Sequence, residues 1–128
     1  MPDVLVDTSI WVDFFRSGDT KGAELLDTLL EEGRVVMCGI VEMELLAGVR
    51  AGARRKLAGL LEILPFLDVE RRDFVAAGER LNVLRQRGIT VPATDALIAT
   101  LCVRHDLRFL TRDQHFEHFA EVKRLRAG

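Results

Sequence analysis

Four acidic residues in this sequence of 128 residues stand beside apolar segments that could bring their carboxylates together. They are Asp7, Glu44, Asp95 and Asp113. Asp7 ends the apolar run Val4-Leu5-Val6, and the end of a buried strand is where an α/β sheet delivers side chains to its ligand crevice. Carboxylates gathered at such an edge, without a cluster of His or Cys, favour a hard divalent cation such as Mg²⁺ or Mn²⁺.

Ordinary structural roles are open to three of these acids when each is considered alone. Asp7 begins an Asp-Thr-Ser triplet, which has the composition of a helix N-cap. Asp95 near the start of a helix would complement the helix dipole, and Asp113 could be a turn residue after a strand. Glu44 is harder to explain in this way, because it interrupts an apolar helical face and a glutamate on a core-facing stripe needs a partner or a metal ion.

The chemistry that such a site supports is phosphodiester hydrolysis. This reaction needs an activated water molecule, in-line geometry, and cations that hold charge on the attacking and leaving oxygens. The sequence offers no convincing Ser-His-Asp or Cys-His arrangement, because its three His residues all lie in the last quarter and flank no candidate nucleophile. A metal-dependent phosphodiesterase is therefore the expected class of enzyme.

Short β-like runs alternate with helix-like segments along the chain. The predicted strands cover residues 4–7, 35–38, 66–69, 107–110 and 122–125, and the predicted helices cover residues 10–15, 23–30, 40–49, 54–64, 70–87 and 96–103. Thr94 and Asp95 are expected to cap the last helix. Strands alternating with helices indicate a parallel sheet with right-handed crossovers. We therefore expect an α/β fold: one three-layer α/β/α domain over residues 1–128, with a short, mostly parallel central sheet of four to five strands.

The composition is that of an ordinary globular protein, with 48% apolar and 30% charged residues. No apolar run reaches the roughly 18–20 residues of a membrane span, and the N-terminus lacks the basic start and apolar core of a signal peptide. We therefore expect a cytoplasmic protein without a membrane partner, in which Cys38 and Cys102 are buried free thiols.

Charge leaves the nature of the partner undecided. The net charge is −2, which argues against a nucleic-acid partner, but four carboxylates bound to cations would leave the rest of the chain at +2. Of the 18 basic residues, 15 are Arg, whose fork-shaped guanidinium matches phosphate better than the Lys ammonium does. Each Arg cluster could equally be a solvated helix face.

Four stretches of the sequence together resemble the PIN-domain nucleases, and most of all the compact VapC-type toxins of prokaryotic toxin–antitoxin modules. The stretches are Val4-Leu5-Val6-Asp7-Thr8-Ser9-Ile10-Trp11, Glu44-Leu45-Leu46-Ala47-Gly48, Thr94-Asp95-Ala96-Leu97-Ile98-Ala99 and Phe109-Leu110-Thr111-Arg112-Asp113. The resemblance runs over the whole length of the chain and keeps the order and spacing of all four stretches. It implies a PIN-like domain for the α/β fold predicted above.

The resemblance also implies a Mg²⁺- or Mn²⁺-dependent endoribonuclease that acts as a growth-inhibiting toxin. Asp7 and Asp95 would be the central metal ligands, and Glu44 and Asp113 would complete the catalytic quartet directly or through water. The hydroxyl residues beside these ligands would be Thr8 or Ser9, and Thr111. The alternatives are a housekeeping PIN nuclease that processes RNA or cleaves DNA, and a PIN-like scaffold that binds a partner without cleaving it.

The sequence departs from the family pattern after the last acid. Many relatives carry another Asp in a D-x-D-F pattern, whereas this chain has Asp113-Gln114-His115-Phe116. His115 is either a pH-sensitive substitute at the edge of the metal site or a surface residue at the start of a helix, and we expect the surface role. The departure leaves the number of bound metal ions open.

Three partners are expected: an RNA substrate, a cognate antitoxin and a second copy of the chain. Trp11 and Phe15 are four residues apart on one helical face, and the resemblance implies an apolar groove for the antitoxin's C-terminal segment that would suit them. The apolar content of residues 40–64 and 70–84 exceeds what one thin α/β layer needs. We therefore expect a homodimer.

Overall fold

The structure, a computed structural model, describes residues 2–126 and consists of a central sheet with helices on both faces. The strands are β1 (Val4–Val6), β2 (Val35–Cys38), β3 (Phe66–Leu67), β4 (Arg108–Thr111) and β5 (Lys123–Arg126). The helices are α1 (Thr8–Arg16), α2 (Lys21–Glu31), α3 (Gly39–Gly48), α4 (Ala51–Ile63), α5 (Arg71–Gln86) and α6 (Ala93–Arg104). A short 3₁₀ helix, Gln114–His118, joins β4 to β5.

The five strands form one parallel sheet in the order β3-β2-β1-β4-β5. Since βαβ crossovers are right-handed, the connections from β1 to β2 to β3 place α1 to α4 on one face of the sheet. The return from β3 to β4 runs the other way, so α5 and α6 cover the opposite face. The helix contacts agree, because α1 packs against α2 and α3 while α5 packs against α6. The predicted α/β fold with a sheet of four to five strands is confirmed, and all five strands are parallel.

The core lies on both faces of this sheet. Every residue of β1 and β2 is buried, which explains why these strands are continuous apolar runs without polar alternation. Trp11, Phe109 and Phe116 are the largest side chains that are fully buried. Cys38 and Cys102 are buried free thiols, as predicted. No helix within residues 2–126 is long and apolar enough to cross a membrane.

The start of α6 differs from the prediction. Thr94 and Asp95 do not cap this helix, because it begins at Ala93 with Pro92 in the N-cap position. Proline suits the first turn of a helix, where its missing N–H would have no intrahelical acceptor. The backbone N–H of Asp95 donates to the carbonyl of Pro92 at 3.1 Å, so Asp95 lies inside the first helical turn. Its carboxylate is thereby left free of a capping role.

A buried ion pair fixes α6, which carries Asp95, against α5. Asp73 is fully buried, and its carboxylate accepts hydrogen bonds from Arg104 Nε at 2.6 Å and Nη2 at 2.8 Å. The backbone N–H of Glu70 donates to the same carboxylate at 2.8 Å. Arg104 lowers the pKa of Asp73 although burial of the carboxyl opposes this change. Such a fully hydrogen-bonded pair holds the two helices in one register.

Candidate metal centre

The carboxyl ends of β1 and β4 meet in an open cleft of about 650 Å³. The chain connections leave these neighbouring strands toward opposite faces of the sheet, and this reversal opens a crevice where α/β proteins bind ligands. The cleft is lined by Asp7, Thr8, Ser9, Glu44, Asp95, Arg112 and Asp113. All four acids singled out in the sequence, and two of the three neighbouring hydroxyl residues, therefore line one cleft.

Thr111, the last residue of β4, connects two of the acids. Its hydroxyl donates to Asp7 Oδ2 at 2.7 Å and accepts from the backbone N–H of Asp113 at 2.9 Å. The backbone N–H of Asp7 donates to the carbonyl of Leu110 at 2.9 Å, which holds the end of β1 against β4. Asp7 occupies the N-cap position of α1, yet its side chain makes no capping hydrogen bond. Its carboxylate is directed into the cleft by a residue of another strand.

Glu44 and Asp113 reach the cleft from two other elements. Glu44 is half-buried on α3, and its Oε1 accepts a hydrogen bond from the hydroxyl of Thr8 at 2.8 Å. Thr8 is thus the partner that a glutamate on a core-facing stripe requires. Asp113 caps the 3₁₀ helix, because its Oδ1 accepts from the backbone N–H of His115 at 2.9 Å. Asp113 therefore caps the 3₁₀ helix and also lines the cleft.

The electrostatics of the cleft show uncompensated negative charge. Burial, followed by the nearby charges of Asp113 and Asp7, raises the pKa of Asp95 from 3.8 to about 6. Burial also raises the pKa of Asp7, against the opposing effect of the hydrogen bond from Thr111. Carboxylates in this state gain from any cation that enters the cleft.

Part of the cleft fits a divalent metal ion, and within residues 2–126 the fitting group includes Asp95 and Asp113 but neither Asp7 nor Glu44. Asp95, Asp113 and His115 can each offer one ligand atom, and these three atoms lie within 4.8 Å of one another. Carboxylate oxygens are the donors that hard divalent cations prefer. The side chain of His115 is 64% exposed, and its Nδ1 lies 3.3 Å from Asp113 Oδ1. His115 is therefore a surface residue that also stands at the edge of the cleft.

One pair of residues at this cleft was not assigned a role from the sequence. Arg112 lines the cleft, and its Nη1 lies 2.8 Å from Oδ2 of Asp13 on α1. The side chain of Asp13 is only 16% exposed, whereas that of Arg112 is 51% exposed. The sequence held one indication that a basic residue would lie at the cleft, because Arg112 stands directly between Thr111 and Asp113. Its pairing with an acid 99 positions earlier in the chain could not be read from spacing.

The predicted groove requires a correction at Trp11. Trp11 is fully buried, and its ring lies 5.8 Å from that of Phe15 in a stacked arrangement. Trp11 therefore belongs to the core beneath α1 and does not line a surface groove. Phe15 is half-buried and lines a separate groove of about 330 Å³ between α1 and the turn from α3 to α4. Its other apolar lining residues are Val12, Leu45, Val49 and Ala53.

Comparisons with known proteins agree with this geometry. A sequence profile described as the PIN domain matches residues 4–122. The VapC ribonuclease Mb1587 of Mycobacterium bovis and ribonuclease VapC11 of Mycobacterium tuberculosis are each 37% identical over 130 residues, which covers 98% of this chain and 97% of each relative. The chain also matches a structure of DNA-bound VapBC from Salmonella typhimurium with a TM-score of 0.80 and 21% identity over 100% of both chains. That last similarity shows the fold alone.

Proposed function

The chain belongs to the PIN-domain family, and we propose that it is a metal-dependent endoribonuclease that acts as the toxin of a toxin–antitoxin pair. The observation that carries this proposal is the convergence of four carboxylates in one cleft at the reversal point of the sheet. Two VapC ribonucleases that match almost the full chain support RNA as the polymer that is cleaved.

Each acid has a defined part in the proposed reaction. Asp7 and Asp95 would hold a Mg²⁺ or Mn²⁺ ion, with Glu44 and Asp113 binding it directly or through water. Held there, the ion would supply positive charge to acidify a water molecule and to stabilise the oxygens of the phosphodiester. Thr111 keeps Asp7 oriented toward the cleft, because its hydroxyl donates to Oδ2 and is itself fixed by the N–H of Asp113.

Thr8 gives Glu44 a comparable orientation from α1. The hydroxyl donates to Oε1 at 2.8 Å and leaves the second carboxylate oxygen free of this bond. Ser9 lines the cleft beside it, at a position suited to hydrogen-bonding a phosphate or a water molecule. The threonine hydroxyls thus orient the carboxylates of Asp7 and Glu44, and the four carboxylates supply the negative charge that would bind the metal ion.

The test is cleavage of RNA by purified protein, with and without a chelator. Asp7→Asn and Asp95→Asn keep side-chain size while each removes one negative charge. Each should reduce the cleavage rate at least about 100-fold, since even contacts beyond the direct ligands of a metal are worth 10–100-fold. Asp27→Asn is the matched control, because Asp27 is exposed on α2 and outside the cleft lining. Full activity of Asp7→Asn in excess chelator would exclude this function.

The antitoxin is proposed to lay an apolar segment in the groove beside Phe15. The groove and the acidic cleft are both lined by α1 and α3, which contribute Ser9 and Glu44 to the cleft and Phe15 and Leu45 to the groove. An apolar segment bound there could place a Lys or Arg among the four carboxylates. Occupation of the cleft by that side chain would block both the metal ion and RNA.

A homodimer is proposed from the exposed apolar side chains. Six of the eight large apolar side chains that are exposed within residues 2–126 fall in segments 40–64 and 70–84, where the sequence led us to expect an interface. They are Met43, Leu46, Ile63, Phe74, Val75 and Val83. Contact with a second copy would remove this apolar surface from water.

A further inference from the structure

The acidic cleft has one basic residue among its described lining residues, and the metal site gives it no role. Arg112 is half exposed at the cleft, and its Nη1 is held 2.8 Å from Oδ2 of Asp13. Asp13 is largely buried on α1, and no hydrogen-bond donor in residues 2–126 has good geometry to this oxygen. The contact is therefore an ion pair, which leaves the other nitrogens of the guanidinium available to a ligand.

The substrate of the proposed reaction creates a charge problem at this cleft. RNA carries a negative charge at every phosphate, and it must approach four carboxylates of which a single divalent ion can offset only half. A guanidinium presents its donors in a planar fork that matches two phosphate oxygens. Arg108 cannot supply this contact, because it lies at the amino end of β4, whereas the cleft lies at the carboxyl end.

We propose that Arg112 binds a phosphate of the RNA at the mouth of the acidic cleft, and that Asp13 is the residue that positions it. This inference rests on the proposed ribonuclease function. The ion pair with Asp13 draws Nη1 toward α1 and restricts the guanidinium before RNA arrives, so that Nε and Nη2 are the donors left for the phosphate. Less rotamer freedom is lost on binding when the side chain is already held in this way.

A purely structural role for the pair makes different predictions. In that case Arg112 would only tie the turn after β4 to α1, and its loss would lower the melting temperature without a specific change in RNA affinity. A phosphate contact instead changes the salt dependence of binding, because each phosphate neutralised releases a counterion. The two roles are therefore separable by measuring affinity as a function of salt.

The experiment measures binding of a fluorescently labelled single-stranded RNA of mixed sequence in Mg²⁺, with Asp95→Asn present in every protein to prevent cleavage. Arg112→Gln should weaken binding about tenfold, as expected for a charge-assisted hydrogen bond, and reduce the slope of log affinity against log salt by about 0.7. Arg112→Lys should recover only part of the affinity. Arg108→Gln removes the same charge from the other end of β4 and should bind like its parent.

The direction in which Asp13→Asn changes RNA affinity distinguishes a positioning role from simple electrostatic repulsion. This substitution removes a negative charge near the cleft, so simple electrostatics predicts tighter RNA binding, whereas loss of a positioning residue predicts weaker binding. We expect binding about threefold weaker, with no further loss when Arg112→Gln is already present. Arg112→Gln binding as tightly as Arg108→Gln, or Asp13→Asn binding more tightly than its parent, would overturn the inference.

Cleavage by proteins that keep Asp95 separates this inference from the proposed function. Arg112→Gln should raise KM about tenfold and change kcat much less, since the contact is made in both the ground state and the transition state. Metal-dependent cleavage by wild type with an unchanged KM in Arg112→Gln would refute the role of Arg112 alone. Absence of metal-dependent cleavage by wild type would refute the function itself. If Arg112→Gln melts below the assay temperature, Asp13→Asn and Arg112→Lys carry the same test.

Discussion

Replacing Asp95 with asparagine should make the metal-free protein more stable, although it removes a proposed metal ligand. Asp95 has its pKa raised from 3.8 to about 6, first by burial and then by the charges of Asp113 and Asp7. For a carboxylate, a raised pKa means that the folded state binds more protons than the unfolded state between these two values. The stability of the fold therefore falls as pH rises through about 4 to 6, and the penalty remains at higher pH.

The size of this stability difference follows from the raised pKa of Asp95. A rise from 3.8 to about 6 corresponds to at most about 3 kcal/mol between the two protonation states. The cleft is open to solvent, and screening reduces the effect on folding to about 1 kcal/mol. For a chain of this length, that free energy is worth about 3 °C in melting temperature. A divalent ion at a hundred times its dissociation constant adds about 2.7 kcal/mol to the protein that binds it.

The assay is thermal unfolding of wild type, Asp95→Asn and the exposed control Asp27→Asn, first in chelator at pH 7.5. Asp95→Asn should melt about 3 °C above wild type, and the difference should shrink as pH is lowered toward 4, where the carboxyl of Asp95 is protonated in the fold. Mg²⁺ or Mn²⁺ should then raise the melting temperature of wild type more than that of Asp95→Asn. If Asp95→Asn is less stable than wild type in chelator, and metal leaves both curves unmoved, the four acids are not an electrostatic cluster.

Three further predictions concern the ion pair, the groove and the proposed interface. Asp73→Ala should lower the free energy of unfolding in urea by about 3 kcal/mol, since it leaves Arg104 without its buried partner; a loss under about 1 kcal/mol would contradict that role. Phe15→Asp should abolish binding of the antitoxin's C-terminal segment, measured by calorimetry, while Val83→Asp on α5 should not; equal binding by both would exclude the groove. Ile63→Glu combined with Phe74→Glu should convert a dimer into a monomer in light scattering, and a wild-type monomer at all micromolar concentrations would exclude the dimer.

The centre of the fold was predictable from the sequence because β1 and β2 are buried at every residue. Their apolar runs indicated strands, and the alternation of strands with helices along the chain indicated the parallel sheet. The edge strand β3 has only two residues, Phe66 and Leu67, where four were predicted over residues 66–69, and Phe66 is exposed. The start of α6 was placed too late because the preference of Pro92 for a helix N-terminus outweighed the capping tendency of Thr94 and Asp95.

The four acids could be selected from the sequence, but their hydrogen bonds could not. The contact between Thr111 and Asp7 joins residues 104 positions apart, and that between Thr8 and Glu44 joins residues 36 positions apart. Such partners depend on which strands become neighbours, and spacing along the chain does not encode this. Trp11 was misplaced for a related reason, because which face of α1 is buried depends on the elements it packs against, and Trp11 lies on the buried face.

A titration of metal-free protein with Mn²⁺ tests the metal-dependent cleft most directly, with binding followed by electron paramagnetic resonance and RNA cleavage followed in parallel samples. We expect binding and cleavage to saturate over the same range of Mn²⁺, and both to be lost in Asp7→Asn while Asp27→Asn behaves as wild type. Cleavage that persists without bound Mn²⁺ in the presence of a chelator, or Mn²⁺ binding without any cleavage, would contradict the assignment of this cleft as the active site.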